Sequence, residues 1–345
     1  MNPEPDSPSC CWLHRFAVLT ACATLPLIFI GGLVTSHDAA LAVPDWPTSY
    51  GYNMFLFPWS KWVGGIRYEH PHRLFGSLLG FLAIALTVWV MIRERKRRWL
   101  RVLTLLSLAL IILQGVLGGY RVILLLKPLA IFHACLAQVI FCLLSAIALF
   151  TSGWWRQREG AAKSPDSGSL RKWTLLCAIL IFLQLILGAV MRHTDSGLAV
   201  PDFPRMYGRW VPPFDQAALK QINDIRPWDE PLTLWQIGIH VAHRIGAVIV
   251  CLGITMVLTA ARHHRASKAV FRPALILAGL VILQFGLGIS VIWTQKAADI
   301  ATAHVAVGAL ILVTSFLLTL IAWKALAPHR LKNGAFRSSE DEKTC

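Results

Sequence analysis

The sequence predicts an all-α integral membrane protein with eight transmembrane helices, arranged as two parallel-repeat four-helix bundles. Of its 345 residues, 56% are hydrophobic and only 15% are charged, whereas a soluble domain carries roughly 25% charged residues. The mean hydropathy is +0.57. Eight separate apolar runs give the number of helices, and one stretch that occurs twice indicates the repeat.

Each apolar run is close to the length that spans the hydrocarbon of a bilayer, which takes about 20 helical residues. The runs cover residues 15–35, 71–92, 101–120, 128–151, 173–191, 235–259, 273–293 and 298–323. The acidic, proline-rich start, Met1–Ser9, is unlike a basic presequence. We therefore expect the first run to stay in the membrane, and we expect a bacterial plasma membrane rather than a mitochondrial one.

Basic residues gather in every second connection between these runs. They are dense at 93–98 and recur at 156–172, at 262–272 and after residue 323. Basic connections face the cytoplasm, so both termini are predicted to be cytoplasmic. The connections predicted to lie outside are 36–70, 121–127, 192–234 and 294–297. The formal net charge of +15 is then mainly a signal of topology, and nucleic acid is not expected as a partner.

The repeat is centred on two proline-containing outer loops. Gly31–Gly51 aligns with Gly188–Gly208 at a constant offset of 157, and ten of the 21 positions are identical. Each half holds four helices, an even number, so the two halves have the same orientation. The predicted divisions are a cytoplasmic tail 1–14, a first half 15–151, a cytoplasmic linker 152–172, a second half 173–325 and a cytoplasmic tail 326–345. The Trp-rich outer loops either lie at the membrane interface or form a lid over the helices.

Four histidines lie inside apolar runs near their outer ends. His133 follows His72 by 61 residues, and His304 follows His243 by the same 61. The same two positions of a four-helix unit therefore carry histidine in each half. A lone histidine in a membrane helix often bonds to a neighbouring helix, but four in register at one depth indicate function.

Facing imidazoles on neighbouring helices suit a metal ion. A structural or catalytic zinc ion needs more ligands than two histidines per half supply, whereas a haem iron takes two axial ligands. We therefore predict His72, His133, His243 and His304 as axial ligands of haem iron. Such ligation indicates electron transfer, or a site where one ligand moves before the iron reacts.

Three charged residues accompany the histidines. Arg73 and Arg244 each follow a predicted ligand, where they are suited either to bind a haem propionate or to reach the outer interface. Glu69 lies three residues before His72 and so shares its helix face, while His240 occupies the equivalent position in the second half. This difference favours a division of labour, in which one half reacts and the other holds a permanent cofactor. Alternatively, Glu69 is a carboxylate favoured by the helix dipole.

A Leu-Gln motif recurs in the third and seventh runs. Gln114 and Gln284 are candidates for hydrogen bonds between helices, and the glycines after them permit close approach of a helix or a haem.

Together, Glu69-His70-Pro71-His72-Arg73, His243-Arg244, His133 and His304, in two parallel four-helix halves, resemble the haem A synthase family over about residues 15–325. The resemblance implies oxidation of a methyl group of haem O to a formyl group, giving haem A for cytochrome oxidase. It implies that His243 and His304 hold haem b, that His72 and His133 line the haem O site, and that Glu69 is required for the oxidation. Some members carry a cysteine pair in the first outer loop, and 36–70 contains no cysteine.

The partners expected from this resemblance are the lipid bilayer, a haem O synthase as supplier and an unidentified electron donor, and a homo-oligomer stays open. Two other functions fit parts of this pattern. A bis-histidine membrane cytochrome would exchange electrons with quinone, although all four histidines lie near one face. A parallel-repeat transporter would need interrupted helices at the midplane, which the sequence does not indicate.

Overall fold

The computed structural model describes residues 8–124, 126–158, 168–212, 214–225, 230–264 and 267–325. Regular structure in these segments is helical, apart from two isolated β-bridges in the outer loops. The long helices are α1 (Pro8–Ser36), α2 (Ile66–Arg93), α3 (Arg98–Leu124), α4 (Lys127–Thr151), α6 (Gly168–His193), α8 (Leu234–Arg262), α9 (Lys268–Trp293) and α10 (Ala298–Ala325). Two short helices, α5 (Gly153–Arg156) and α7 (Gln216–Asp224), lie between them.

The eight long helices are all long and apolar enough to cross a membrane. Their outward surfaces expose large apolar side chains, such as Phe132 at 66% and Ile282 at 75%, which a lipid environment accommodates without cost. The protein is therefore a multi-pass membrane protein, and the predicted all-α fold with eight spans is confirmed. Most helices continue beyond the apolar runs, because charged and polar residues at the interface extend the helical backbone.

The helix starts have local causes. Thr233 caps α8, with its side chain accepting from the Gln236 backbone N–H while the Gln236 side chain accepts from the Thr233 backbone, which satisfies two free donors of the first turn. Asp215 caps α7 in the same way, through the backbone N–H of Ala218. A proline in the first turn of α4 suits a position whose N–H has no helical partner.

The long helices contact one another in two closed rings. In the first ring α1 contacts α2, α2 contacts α3, α3 contacts α4, and α4 returns to α1. In the second ring α6, α8, α9 and α10 make the same circuit. The rings meet where α10 contacts α1 and α4, and where α4 contacts α6, so α4 and α10 are the most buried helices.

A buried carboxylate joins helix ends of the first ring that lie opposite the long loops. Glu94 follows α2 and is 4% exposed. It forms ion pairs with Arg97, at 3.5 Å, and with Arg156 of α5. Arg97 also donates to the carbonyl of Phe150 at the end of α4.

The division of the chain at the predicted boundaries, the internal duplication and the cytoplasmic orientation stay predictions. The matched circuits of the two rings support the duplication. Much of the predicted tails and linker, at 1–7, 159–167 and 326–345, lies outside the described residues, as does Trp228 of the second outer loop.

Candidate functional site

The four predicted histidine ligands form two pairs, one in each ring. The ring centroids of His72 on α2 and His133 on α4 lie 6.5 Å apart. His243 on α8 and His304 on α10 are also 6.5 Å apart. All four helices that carry these histidines begin on the same side of the bundle, and each histidine is within three turns of its helix start. The two pairs therefore lie at one level, toward the end of the bundle that carries the two long loops.

The centroid distance of each pair fits one metal ion bound by both imidazoles. With a metal–nitrogen bond of about 2 Å and a centroid roughly 1 Å behind each nitrogen, two imidazoles on one ion have centroids about 6 Å apart. The buried Nδ1 atoms of His72, His133 and His304 have no hydrogen-bond partner, and buried polar atoms without partners are uncommon. The described residues contain no group of three or more His, Cys, Asp or Glu that could hold a metal ion. Two ligands per site suit an iron whose other ligands belong to a macrocycle.

A glycine of the preceding helix contacts each of these imidazoles. A Cβ atom on the glycine would lie within 2.8–3.2 Å of the histidine Cε1, too close for an undisturbed ring. The four contacts are Gly31 with His72, Gly118 with His133, Gly188 with His243, and Gly288 with His304. The glycines therefore make room for the imidazoles, as the sequence indicated for Gly118 and Gly288.

Glutamine side chains support three of the four histidines. Gln114 donates to the His133 carbonyl at 2.9 Å, and Gln284 Nε2 lies 3.2 Å from His304 Nε2, so both predicted hydrogen bonds between helices are confirmed. Gln184 on α6 donates to the His243 carbonyl at 2.8 Å and lies 3.1 Å from its Nδ1. The position equivalent to Gln184 in the first ring is Leu27, so the His72 ring lacks this amide.

Glu69 is buried at the start of α2, where it is 3% exposed. Its Oε1 accepts from Arg73 at 2.7 Å, and its Oε2 accepts from the backbone N–H of Val43 at 2.9 Å. Hydrogen bonds from a cation and from a backbone N–H stabilise the charged carboxylate. Each oxygen retains a second lone pair for water or a proton.

The second ring places His240 where the first ring has Glu69. His240 is also 3% exposed, and its Nδ1 lies 3.1 Å from the Ser196 carbonyl oxygen and 3.4 Å from the Val200 nitrogen. Val200 is the repeat counterpart of Val43. The two side chains therefore join helix to loop in the same way, but only the first ring keeps a carboxylate there.

Arg73 and Arg244 brace the repeated loops. Arg73 donates to the carbonyls of Val43, Asp45 and Thr48 at 2.6–3.0 Å and also pairs with Glu69. Four of its five N–H groups are thus used within the protein. Arg244 donates to the three equivalent carbonyls, those of Val200, Asp202 and Arg205. Binding of a propionate by these two arginines stays a prediction.

Each loop is closed by an aspartate. Asp45 accepts from the backbone N–H groups of Tyr50 and Gly51 and from the Thr48 hydroxyl. Burial raises the pKa of Asp45, but these hydrogen bonds outweigh it and hold the pKa below its usual 3.8. In the second loop the pKa of Asp202 is lowered in the same way. Gly51 and Gly208 have φ of 75° and 73°, a backbone that glycine adopts without strain.

The outer loop partly covers the first ring. Trp46 packs against α3 at Gly119, where any Cβ would collide with the indole. Trp59 and Trp210, in contrast, are 79% and 70% exposed. Both sequence interpretations of the loops thus have support, with Trp46 acting as a cover and the exposed tryptophans suited to an interface.

The structure pairs the four histidines two by two, one pair in each ring, and places Gln114 and Gln284 against His133 and His304. The sequence indicated these residues and Glu69. Sequence reasoning missed Gln184 as a partner of His243, because no glutamine stands at the equivalent position of the first half. It also missed Gly31 and Gly188 as neighbours of the imidazoles. The sequence did contain a signal for them, since Gly31 and Gly188 are the first aligned pair of the repeat and glycine stands at that position in both copies.

Comparison with known proteins agrees with this site. Residues 66–316 match the model of the COX15-CtaA family, described as cytochrome oxidase assembly protein. Similar proteins named heme A synthase include one from Shouchella clausii, 26% identical over 327 residues and covering 93% of this chain and 98% of the relative. Another, from Shewanella oneidensis, is 27% identical over 339 residues, or 90% and 96% of the two chains. A third, from Caulobacter sp. strain K31, is 27% identical and covers 95% of this chain and 99% of the relative.

The family match covers well over half of the chain and includes all four histidines, Glu69 and both bracing arginines. The chain therefore belongs to the COX15-CtaA family of cytochrome oxidase assembly proteins.

Proposed function

We propose that this protein is a haem A synthase, an oxidoreductase that converts a methyl substituent of haem O into the formyl group of haem A. The observation that carries the proposal is the pair of half-buried bis-histidine sites, both with a centroid distance of 6.5 Å. Relatives named heme A synthase, similar over nearly the whole of both chains, support it. Haem A would serve the assembly of cytochrome oxidase.

The two rings would have different tasks. His72 and His133 would hold the haem O substrate in the first ring, and His243 and His304 would hold a resident haem b in the second. The carboxylate of Glu69 beside the first pair, and the His240 that replaces it in the second, support this assignment. When bound, the substrate haem would supply both the methyl group to be oxidised, on the edge of the macrocycle, and a redox-active iron.

The residues of the first ring would position the substrate and handle protons. The imidazoles of His72 and His133 would both hold the substrate haem, with Gly31 and Gly118 leaving room for the two rings. Glu69 would take up or release a proton at Oε1 or Oε2 through the lone pairs that Arg73 and Val43 do not use. The loop held by Arg73, with Trp46 against α3, would keep water from the site.

The second ring would pass electrons to or from the first. Gln184 and Gln284 would orient the imidazoles of His243 and His304 and so tune the iron they hold. The electron donor would be a separate protein or small carrier, and a haem O synthase would supply the substrate. We place the protein in the plasma membrane with both termini cytoplasmic, supported by the basic connections 93–98 and 262–272.

We divide the chain as the repeat suggests. Residues 15–151 would form the substrate half and 173–325 the haem b half, with tails 1–14 and 326–345 and the linker 152–172 on the cytoplasmic side. A pure bis-histidine cytochrome is not favoured, because the similar proteins found carry the name of a synthase.

The test is conversion of haem O by the purified full-length protein, supplied with a reductant and oxygen and followed by chromatography of extracted haem. The expected result is haem A from the wild type and none from His72→Ala or His133→Ala. Cys135→Ala, two residues beyond His133 on α4, is the control and should convert haem O normally. Failure of the wild type to form haem A under these conditions would overturn the proposal.

A further inference from the structure

A group of basic side chains lies at the outer end of the bundle, where the two rings meet. It comprises Arg121 at the end of α3 and Arg192 and His193 at the end of α6, and we call these three residues the outer basic cluster. All three are partly buried. Arg121 interacts electrostatically with both of the others.

The position of Arg121 on its helix directs it toward the first histidine pair. Gln114 and Gly118 on α3 both contact His133, through the carbonyl hydrogen bond and through the close approach to the ring. Arg121 follows Gly118 by three residues, so it lies on the same face of α3, one turn nearer the outer end. Its charge interacts with His72, His133 and Glu69.

Arg121 has no anion of its own within the described part of the chain. No hydrogen bond or ion pair joins its guanidinium to a described residue. Glu69 is already bound by Arg73 and by the Val43 N–H, and Asp195 pairs with Lys127 at 3.0 Å. Arg192 donates instead to the Gly32 carbonyl and the Ser36 hydroxyl on α1. A partly buried guanidinium without a counter-ion indicates an anionic ligand.

The repeat does not duplicate this cluster. The counterpart of Arg121 in the second half, by the Leu-Gln motif, is Val291, and the counterparts of Arg192 and His193 in the first outer repeat are Thr35 and Ser36. Arg73 is the other cation near the first histidine pair, but four of its N–H groups are used by Glu69 and the loop. Among the described residues, Arg121 is thus a cation beside the first histidine pair whose N–H groups remain available for a ligand.

We propose that Arg121 binds a propionate carboxylate of the haem in the first ring, with Arg192 and His193 adding to the positive field. This inference rests on the proposed function, since it assumes that the first ring takes a haem. It makes Arg121 a residue for orienting the substrate: the fixed propionate would decide which edge of the macrocycle faces Glu69.

The test measures binding and does not depend on turnover. Purified full-length protein is titrated with haem B and, separately, with haem B dimethyl ester, whose propionates carry no charge, and the Soret absorbance reports affinity. The same titration of His72→Ala is subtracted from that of the wild type, so that the remaining absorbance change reports haem bound in the first ring. The wild type should prefer the free acid, and Arg121→Gln should lower affinity for the acid about tenfold or more, as expected for one lost charge-assisted hydrogen bond. Affinity for the ester should not change.

Two further variants serve as controls. Arg67→Gln removes an exposed outer arginine of α2 and should leave both affinities as in the wild type. Arg121→Lys keeps the charge and should retain most of the preference for the acid, which shows that a loss in the glutamine variant is not due to misfolding.

The proposal is overturned if Arg121→Gln keeps the wild-type ratio of acid affinity to ester affinity. It is also overturned if the wild type shows no preference for the acid, as expected if Arg121 binds a lipid headgroup instead. Conversion of haem O by the wild type, measured in parallel, separates this proposal from the proposed function. If the wild type forms haem A but Arg121→Gln keeps the wild-type acid-to-ester affinity ratio, only the role of Arg121 is refuted.

Discussion

Glu69 accepts a hydrogen bond from the backbone N–H of Val43, at 2.9 Å, and so ties the start of α2 to the repeated outer loop. The same carboxylate pairs with Arg73, which holds the carbonyl of that same valine. A side chain proposed to move protons is therefore also part of the support for the loop. The first prediction separates these two roles.

Glu69→Gln should abolish haem O conversion while leaving the fold intact. A glutamine can still accept from the Val43 N–H, but it cannot carry a proton as a carboxylate does, and loss of general acid–base catalysis costs about 10²–10⁴-fold in rate. The measurement is the single-turnover rate of haem A formation. Glu94→Gln, which changes the other buried carboxylate of the first ring, should convert haem O normally. A Glu69→Gln enzyme as fast as the wild type would exclude the carboxylate from the chemistry.

Gly118→Ala should displace the His133 imidazole, because the new Cβ would lie 3.0 Å from His133 Cε1. Overpacking of this kind costs about 1–3 kcal/mol, and the ring must move to relieve it. We expect weaker haem binding in the first ring, measured by Soret titration. Gly115→Ala is the matched control, since nothing lies within 4 Å of a Cβ at that position of the same helix. Equal affinities for the two variants would contradict the proposed fit.

His243→Ala and His304→Ala should each remove the haem b absorbance of the purified protein. Both imidazoles are proposed to bind one iron, so the loss of either leaves it with a single protein ligand. His240→Gln is the control on α8: that histidine is as buried as a ligand but bonds to the loop, so the spectrum should persist. An unchanged spectrum in the two alanine variants would refute the second site.

The first outer loop should loosen in acid. Hydrogen bonds hold the pKa of Asp45 below 3.8 despite burial, which acts to raise it. A lowered pKa means that the carboxylate stabilises the folded loop above pH 3.8, and that this contribution is lost as the pH falls through the lowered value. Hydrogen exchange of the peptide 41–51 in the wild type should therefore accelerate as the pH falls through the lowered pKa of Asp45.

Asp45→Asn should show fast exchange in the same peptide already at neutral pH, with little further change in acid. Asp224→Asn, at an exposed aspartate of the second loop, should behave as the wild type. An acid response of equal size in wild type and Asp45→Asn would show that another group controls the loop.

The sequence was sufficient to predict eight spans, because apolar runs of spanning length and alternating basic connections are strong, local signals. It was also sufficient to predict the histidine pairs, since their spacing of 61 residues occurs twice. The helix α7, Gln216–Asp224, was not predicted: it is short and polar, and its start depends on the single cap Asp215. The hydrogen bonds of Arg73 to the loop carbonyls were not predicted either. Every residue has a backbone carbonyl, so the sequence of a loop does not show which carbonyls a guanidinium binds.

The placement of Arg121 on the face of α3 that packs on His133 could not be predicted from the sequence either. An arginine at the end of an apolar run is most simply interpreted as an interfacial anchor. Only the packing of Gly118 on His133 shows which way that face of α3 points. Close approaches of this kind depend on how two helices are rotated, and periodicity alone does not determine rotation.

The common level of the two histidine pairs has an energetic consequence. Work against the membrane voltage is done only when charge moves along the bilayer normal, at about 2.3 kcal/mol per elementary charge for each 100 mV. A charge passing from His243 and His304 to His72 and His133 would run parallel to the bilayer plane. The rate of this one transfer step would therefore be the same in a polarised and in a depolarised membrane.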